Sequence, residues 1–277
     1  NVDIPAPDMG TNSQIMDWMT DTYESIGNTH NNAVFTGKSI ECGGSEGRRE
    51  ATGYGVVVCI KQWAEYNNFD LKGKTYIIQG YGNVGSNTAI LLSHLGLTCI
   101  AVGDHSGYIK NDEGFNVYKL REHVCKNKSI DGYSGEKITK EDFFGLHCDI
   151  LIPAALELVV CGDEAKNLNC KMVAEAANGP LDLEADKILE ERNIDVIPDI
   201  LANSGGVVVS YYEWLQNKRT EYWSREEVLN KLENRMIETY KKVMNYKNTC
   251  NVSMRMASYI LSLKNIESVY LKKGFLL

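Results

Sequence analysis

The sequence predicts an α/β fold organised as a doubly wound parallel sheet, on three observations. Between Lys74 and Pro198 short apolar runs of strand character alternate with helical patterns. The first of these runs enters a glycine-rich turn that opens a helix, Thr75-Tyr-Ile-Ile-Gln-Gly80-Tyr-Gly82-Asn-Val-Gly85. Before Lys74 and after Pro198 the strand signals stop and helical periodicity remains. The two ends of the chain are therefore expected to share a second, smaller lobe beside one βαβ domain.

Each element has its own signal. Thr11-x-x-Gln14 is a capping-box pattern, and Ile15, Met19, Thr22, Tyr23 and Ile26 follow at helical spacing until Gly27 closes the first helix. A loop of Asn, Thr and Gly runs to Gly47. A second helix then carries Val56, Val57, Ile60, Trp63 and Ala64 on one stripe and ends at Asn67-Asn68. The strand candidates are Thr75–Gln79, Thr98–Val102, Asp149–Ile152, Met172–Glu175 and Asp195–Pro198. Between them lie the helices Val84–Leu95, Val117–Lys126 and Asp182–Glu191, with a short helical turn near Asp163–Leu168. Three helices follow: Gly205–Asn217, Ser224–Tyr246 opened by Ser224-x-x-Glu227, and Ser253–Lys273.

Composition narrows the class of function. Of 277 residues, 43% are hydrophobic and 24% charged, which suits a buried core and not a disordered chain. The 29 Lys+Arg against 37 Asp+Glu give a net charge of −8, spread along the sequence, so no footprint for nucleic acid or an anionic membrane surface is present. Apolar stretches such as Gly55–Ile60 and Ile150–Val160, the latter interrupted by Glu157, are far shorter than the ~20 residues a bilayer requires. Eight dispersed cysteines without a C-x-x-C read as reduced thiols in a cytosol-like compartment. The five histidines show no pairing at metal-ligand spacing, and no metal site is assigned. The chain opens at Asn1 without Met and without a signal-like segment, and is expected to be a fragment.

The sharpest chemical signal is the glycine turn. In a Rossmann-type unit the first glycine makes the tight turn, the second lets a pyrophosphate approach the backbone, and the third lets helix and strand pack closely; these are Gly80, Gly82 and Gly85. The helix starting near Val84, with Asn83 before it, presents free N–H groups to that anion. About twenty residues on, Asp104 ends the next strand. It reads equally as an acceptor for ribose hydroxyls or as a turn residue in Asp104-His-Ser-Gly107, and with His105, Ser106 and nearby lysines a 2′-phosphate is also accommodated. Both NAD and NADP stay open, with NAD preferred.

Three further stretches stand out. In Asp3-Ile-Pro-Ala-Pro-Asp8-Met-Gly-Thr two prolines fix the backbone and place the Asp8 carboxylate ahead of a helix, where capping is the simplest role. Gly43-Gly-Ser-Glu-Gly47-Arg48-Arg49-Glu-Ala-Thr52-Gly53-Tyr-Gly55 leaves a helix face bare, which suits tight helix packing or a ligand. Pro198-Asp-Ile-Leu-Ala-Asn203-Ser-Gly205-Gly206 opens a helix that bears Ser210 and Glu213. It reads either as a carboxylate site or as a plain helix start.

Together these stretches resemble the glutamate dehydrogenases of the glutamate/leucine/phenylalanine/valine dehydrogenase family. The resemblance rests on Asp3–Thr11, Thr36-Gly-Lys38, Gly43–Gly55, Gln79–Gly85, Cys148–Leu156, Glu175–Pro180 and Pro198–Glu213, in order over nearly the whole chain. It implies oxidation of L-glutamate to 2-oxoglutarate and ammonium with hydride transfer to a nicotinamide, in a homohexamer located in the cytoplasm, or in the mitochondrial matrix if a transit peptide precedes it. By resemblance Asp8 exchanges protons with the substrate amino group, while Ser210, Arg48 and Asn203 line the substrate cleft. Thr52, Gly80, Gly82, Asn83, Val84, Gly85, Asp104, Ala154, Ala155 and Asn178 line the cofactor site, and Lys38 falls in the same cleft. The implied division is residues 1–44 from the substrate domain, 45–206 as the dinucleotide-binding domain, and 207–277 as helices returning to the substrate domain. One departure matters: the family's catalytic lysine lies in an upstream K-G-G stretch, and no such stretch occurs in these 277 residues. The chain alone is therefore expected to be inactive, a truncated copy. The alternatives are a catalytically silent nucleotide-binding or assembly module and a branched-chain or aromatic amino-acid dehydrogenase, the latter disfavoured by Ser210.

Overall fold

A seven-stranded sheet forms the centre of the molecule. The computed structural model describes residues 3–8, 10–27 and 30–274; Met9 of the opening motif lies outside them. The strands are β1 (Thr75–Gln79), β2 (Thr98–Asp104), β3 (Gly107–Lys110), β4 (Glu136–Ile138), β5 (Ile150–Pro153), β6 (Met172–Ala174) and β7 (Asp195–Ile197). Their order is β4-β3-β2-β1-β5-β6-β7. The five strands expected from sequence are parallel to one another, with Ile77 of β1 beside Ala101 of β2 and Leu151 of β5. Strand order reverses at β1, which opens a crevice beyond the carboxyl ends of β1 and β5, where ligands of such sheets bind.

The sheet is mixed, not wholly parallel. β2 runs two residues past the apolar run Thr98–Val102 to end at Asp104, and turns through His105-Ser106 into the antiparallel β3, which pairs with the antiparallel β4. Neither was expected, because Glu136 and Lys137 are exposed and β3 is only four residues long, so neither shows the apolar alternation that marks a strand.

The helices are α1 (Ser13–Gly27), α2 (Ala51–Tyr66), α3 (Asn83–His94), α4 (Val117–Asn127), α5 (Lys140–Gly145), α6 (Gly162–Asn167), α7 (Leu183–Glu191), α8 (Asp199–Ala202), α9 (Gly205–Arg219), α10 (Arg225–Cys250) and α11 (Met254–Lys273). Successive side chains of β1 point to opposite layers. Tyr76 and Ile78 join the core formed with α2, α3, α9 and α10, whereas Ile77 joins Phe143, Phe144, Ala165 and Leu189 of α5, α6 and α7. A small separate cluster of Met16, Val34 and Phe35 holds α1.

Local chemistry corrects two expectations. The cap of α1 is Asn12, whose Oδ1 accepts the Ile15 N–H at 3.1 Å. The Thr11 hydroxyl closes a turn instead, accepting the Asp8 N–H and donating to the Asp8 carbonyl, both at 2.7 Å. Helix α2 is buried on more than one stripe: Val56, Val57, Val58, Cys59 and Ile60 are all in the core, because α3, α9 and α10 surround it. The capping box expected at Ser224 and Glu227 is present and opens α10. Among the described residues no helix is long and apolar enough to cross a membrane.

Candidate functional site

The three glycines of the turn do different work. Gly80 has φ +102°, and its N–H donates to the Gly103 carbonyl at 2.6 Å, so the turn is tied to the neighbouring strand. A Cβ on Gly80 would lie 2.7 Å from the Ala154 backbone and 2.8 Å from Ala155 Cβ. This brings Ala154 and Ala155 against the turn, and the Ala154 N–H donates to the Gln79 carbonyl at 2.6 Å. A Cβ on Gly85 would sit 1.9 Å from the Gly80 carbonyl oxygen. Gly82, in contrast, caps α3 without any side-chain bond, and a Cβ there would meet nothing within 4 Å. Strand and helix therefore require Gly80 and Gly85, whereas the protein itself makes no demand for glycine at Gly82. A bare position at the opening of α3 is what an incoming pyrophosphate requires.

Asn83 and Val84 are the first residues of α3. Asn83 Nδ2 donates to the Arg49 carbonyl at 2.8 Å, and Val84 lies where a Cβ on Gly53 of α2 would be 3.1 Å from its carbonyl. Asp104 is engaged inside its own loop. Its Oδ1 accepts the Ser106 N–H at 2.7 Å and hydroxyl at 2.5 Å, and its Oδ2 accepts the Ile130 N–H at 2.7 Å. With roughly four lone-pair positions on a carboxylate, these three bonds leave about one for another partner.

The residues expected to line the substrate cleft meet across long stretches of sequence. Arg48 Nε donates to Ser210 Oγ at 3.0 Å. Burial pulls the Arg48 guanidinium below its usual pKa range, with the Glu213 charge acting against that. A Cβ on Gly206 would stand 2.6 Å from Thr52 Oγ1 and 3.5 Å from Arg48 Nη1, so Arg48 and Thr52 converge on the first turn of α9. Asn203 Nδ2 donates to Asn178 Oδ1 at 2.7 Å, joining a proposed substrate residue to a proposed cofactor residue.

Sequence reasoning assigned no role to Glu213. Its side chain and that of Lys38 are 1% and 0% exposed, and they form an ion pair at 2.8 Å. Lys38 Nζ also donates to the Phe35 carbonyl at 2.6 Å, and Glu213 Oε2 accepts the Gly37 N–H at 2.8 Å. The Thr36-Gly37-Lys38 loop is thereby fastened to α9 one turn beyond Ser210. Pro7 packs on the same loop, since a Cβ on Gly37 would be 2.4 Å from its ring, and the Thr36 N–H donates to the Pro5 carbonyl at 3.0 Å. Glu213 stood in the motif, but nothing in its spacing joins it to a lysine 175 residues away.

A continuous set of contacts thus links both halves of the site. Asp8 follows Pro7, which packs on Gly37, and that loop is held by Glu213 of α9. Gly205 at the start of α9 lies against Gly55 of α2, and Gly53 of α2 faces Thr88 of α3. The bare face of Gly43–Gly55 is thus used for helix packing at Gly53 and Gly55.

A family profile described as Glutamate/Leucine/Phenylalanine/Valine dehydrogenase matches residues 43–274. The chain belongs to this dehydrogenase family. Among its relatives in the family, a glutamate dehydrogenase of Thermotoga maritima is 45% identical over 275 residues, covering 98% of this chain and 66% of the relative. The cryptic catabolic NAD-specific glutamate dehydrogenase GudB of Bacillus subtilis is 39% identical, covering 99% and 64%. The hetero-hexameric glutamate dehydrogenase of Thermus thermophilus, solved in a Leu-bound form, superposes with a TM-score of 0.91 at 32% identity, covering 96% of this chain and 63% of that one. The glutamate dehydrogenase of Peptoniphilus asaccharolyticus superposes at 0.85 with 38% identity, covering 99% and 66%. The chain thus spans a little under two thirds of these dehydrogenases.

Proposed function

We propose that this chain serves the NAD(P)-dependent oxidative deamination of L-glutamate to 2-oxoglutarate and ammonium. The single observation that carries the reading is Gly82, a glycine at the switch point of the sheet that no contact within the protein explains. A nicotinamide held here would supply the acceptor for the hydride leaving the substrate α-carbon. The protein's residues do the rest. Gly80, Gly82, Gly85, Asn83 and Val84 form the pyrophosphate cradle, Ala154 and Ala155 wall it, and Thr52 and Asn178 border it. Arg48, its Nε occupied by Ser210, has Nη1 and Nη2 to offer a carboxylate of the substrate, while Asn203 shapes the same cleft. The Asp8 carboxylate exchanges protons with the amino group. NAD is preferred to NADP, in line with the names of several relatives.

The division at residues 44 and 206 belongs to the same reading. α10 shares its core with α2, so it is α11 that presents a surface to a second lobe: Met256, Tyr259, Leu263, Ile266 and Tyr270 lie at helical spacing and are all exposed. A homohexamer and a cytoplasmic setting complete the proposal, the latter consistent with eight unpaired cysteines.

Fluorescence titration of the 277-residue chain with NADH is expected to show saturable binding, and the same protein with glutamate and NAD is expected to produce no NADH. The K-G-G stretch that the family resemblance implies for the catalytic lysine is not among these 277 residues. Absence of NADH binding defeats the cofactor reading, and turnover defeats the argument from the lysine. In the same assay Asp104→Ser is expected to weaken NADH about tenfold or more, by loss of a charged hydrogen bond, and NADPH much less. Equal losses would show that Asp104 only anchors its loop.

A further inference from the structure

Arg255 occupies an electrostatically unfavourable position. α10 ends at Cys250, Asn251 turns the corner with φ +52°, and Ser253 caps α11, which puts a cation in the first helical turn, where anions are favoured. The explanation lies in the sheet. Nη2 and Nη1 grip Glu175 at 2.6 and 2.9 Å, Nε and Nη2 grip Asp186 at 2.6 and 3.0 Å, and Nη1 reaches Asp199 at 3.4 Å. These bonds use all five N–H donors of the guanidinium. Burial works against the Arg255 charge, and the bonds to Glu175 and Asp186 more than reverse it, raising its pKa.

The network does not end at the carboxylates. Glu175, whose side chain is fully buried just beyond β6, accepts the Asp199 N–H through Oε2 at 2.7 Å. Asp199 Oδ2 accepts the Gly179 N–H at 2.7 Å, and Gly179, at φ +51°, follows Asn178, which is bonded to Asn203. Arg255 thus holds the first residue of the Glu175–Pro180 loop directly and is one side chain, Asp199, from Gly179, without touching Asn178.

We infer that Arg255 is a positioning residue: through Glu175 and Asp199 it holds the loop that places Asn178 at the dinucleotide site. A lysine cannot replace it, because a single ammonium cannot bridge two carboxylates in bidentate fashion. The inference rests on the proposed cofactor role of Asn178, and the test separates the two.

The test reads amide hydrogen exchange and NADH affinity in wild type, R255K, N178A and R255K/N178A. R255K is expected to speed exchange at Gly179 about tenfold or more while β1 and β5 keep their protection, and to weaken NADH about tenfold. N178A should weaken NADH similarly, and the double variant should bind no worse than the weaker single one, because both changes remove one interaction. Unchanged exchange at Gly179 overturns the inference. So does a double loss equal to the product of the single losses, which marks a general structural effect, or an N178A protein that binds NADH normally. If wild type fails to bind NADH, the cofactor reading is what falls, and exchange still reports whether Arg255 holds the loop. Should R255K fail to fold, E175Q weakens the grip of Arg255 while leaving the Asp199–Gly179 bond in place, with the same expected results.

Discussion

Gly85→Ala is expected to destabilise the fold by about 3 kcal/mol or more, whereas Gly82→Ala should cost about 1 kcal/mol at most and yet weaken NADH at least ~10-fold. The contrast follows from geometry. The added carbon at Gly85 would lie 1.9 Å from the Gly80 carbonyl oxygen and 3.4 Å from Ile78 Cδ1. Gly80 cannot retreat, because its N–H is held by Gly103 and its other side faces Ala154 and Ala155. Relief would have to come from moving β1 at the centre of the sheet, and close packing makes that costly. At Gly82 φ is −74°, open to any L-residue, and the added methyl enters empty space. Its cost therefore falls on whatever must occupy that space. Chemical denaturation and NADH titration on the two variants separate these effects. A Gly82→Ala protein that binds NADH like the parent would remove the main support for a dinucleotide at this turn.

Glu213→Gln should cost about 3–5 kcal/mol in chemical denaturation, the range for leaving a buried charge without its partner. The Lys38 side chain has 0% exposure, so water cannot replace the lost carboxylate. The glutamine oxygen can still accept the Gly37 N–H, so the loss reports charge more than loop geometry. Adding Lys38→Met should restore more than half of the loss, because the uncompensated ammonium is then gone. If the single variant is as stable as the parent, the ion pair does not fasten the Thr36-Gly37-Lys38 loop. Asp8, the residue after the proline packed on that loop, would then owe its place to something else.

The residues differ in how visibly they announce themselves in sequence. β1 and α3 were placed to within a residue, because an apolar strand, three glycines and a helix leave one arrangement. The core faces of β5 and β6 were legible for the same reason: strands buried on both sides are apolar throughout. β4 was not legible, since Glu136 and Lys137 face solvent and carry no pattern. Pairs such as Arg48 with Ser210, or Lys38 with Glu213, are set by tertiary packing of α9 over the loop before α2. No local period encodes a contact across more than 160 residues. Family resemblance supplied Ser210 and Arg48 as neighbours of a substrate; it supplied neither Glu213 nor Arg255. Asp104 is the instructive middle case. Both of its readings were visible in the sequence, and only the bonds to Ser106 and Ile130 show how much of its capacity the loop already takes.

The two margins of the sheet bear on how copies of this protein can associate. One margin ends in β4, three residues long and bearing exposed charges; the other ends in β7, against which α11 lies. A short charged border and a helix-covered one both discourage strand addition from a neighbouring molecule. Within these residues neither rim is a ready template for a neighbouring strand, so copies that meet through this sheet would do so over its helical faces.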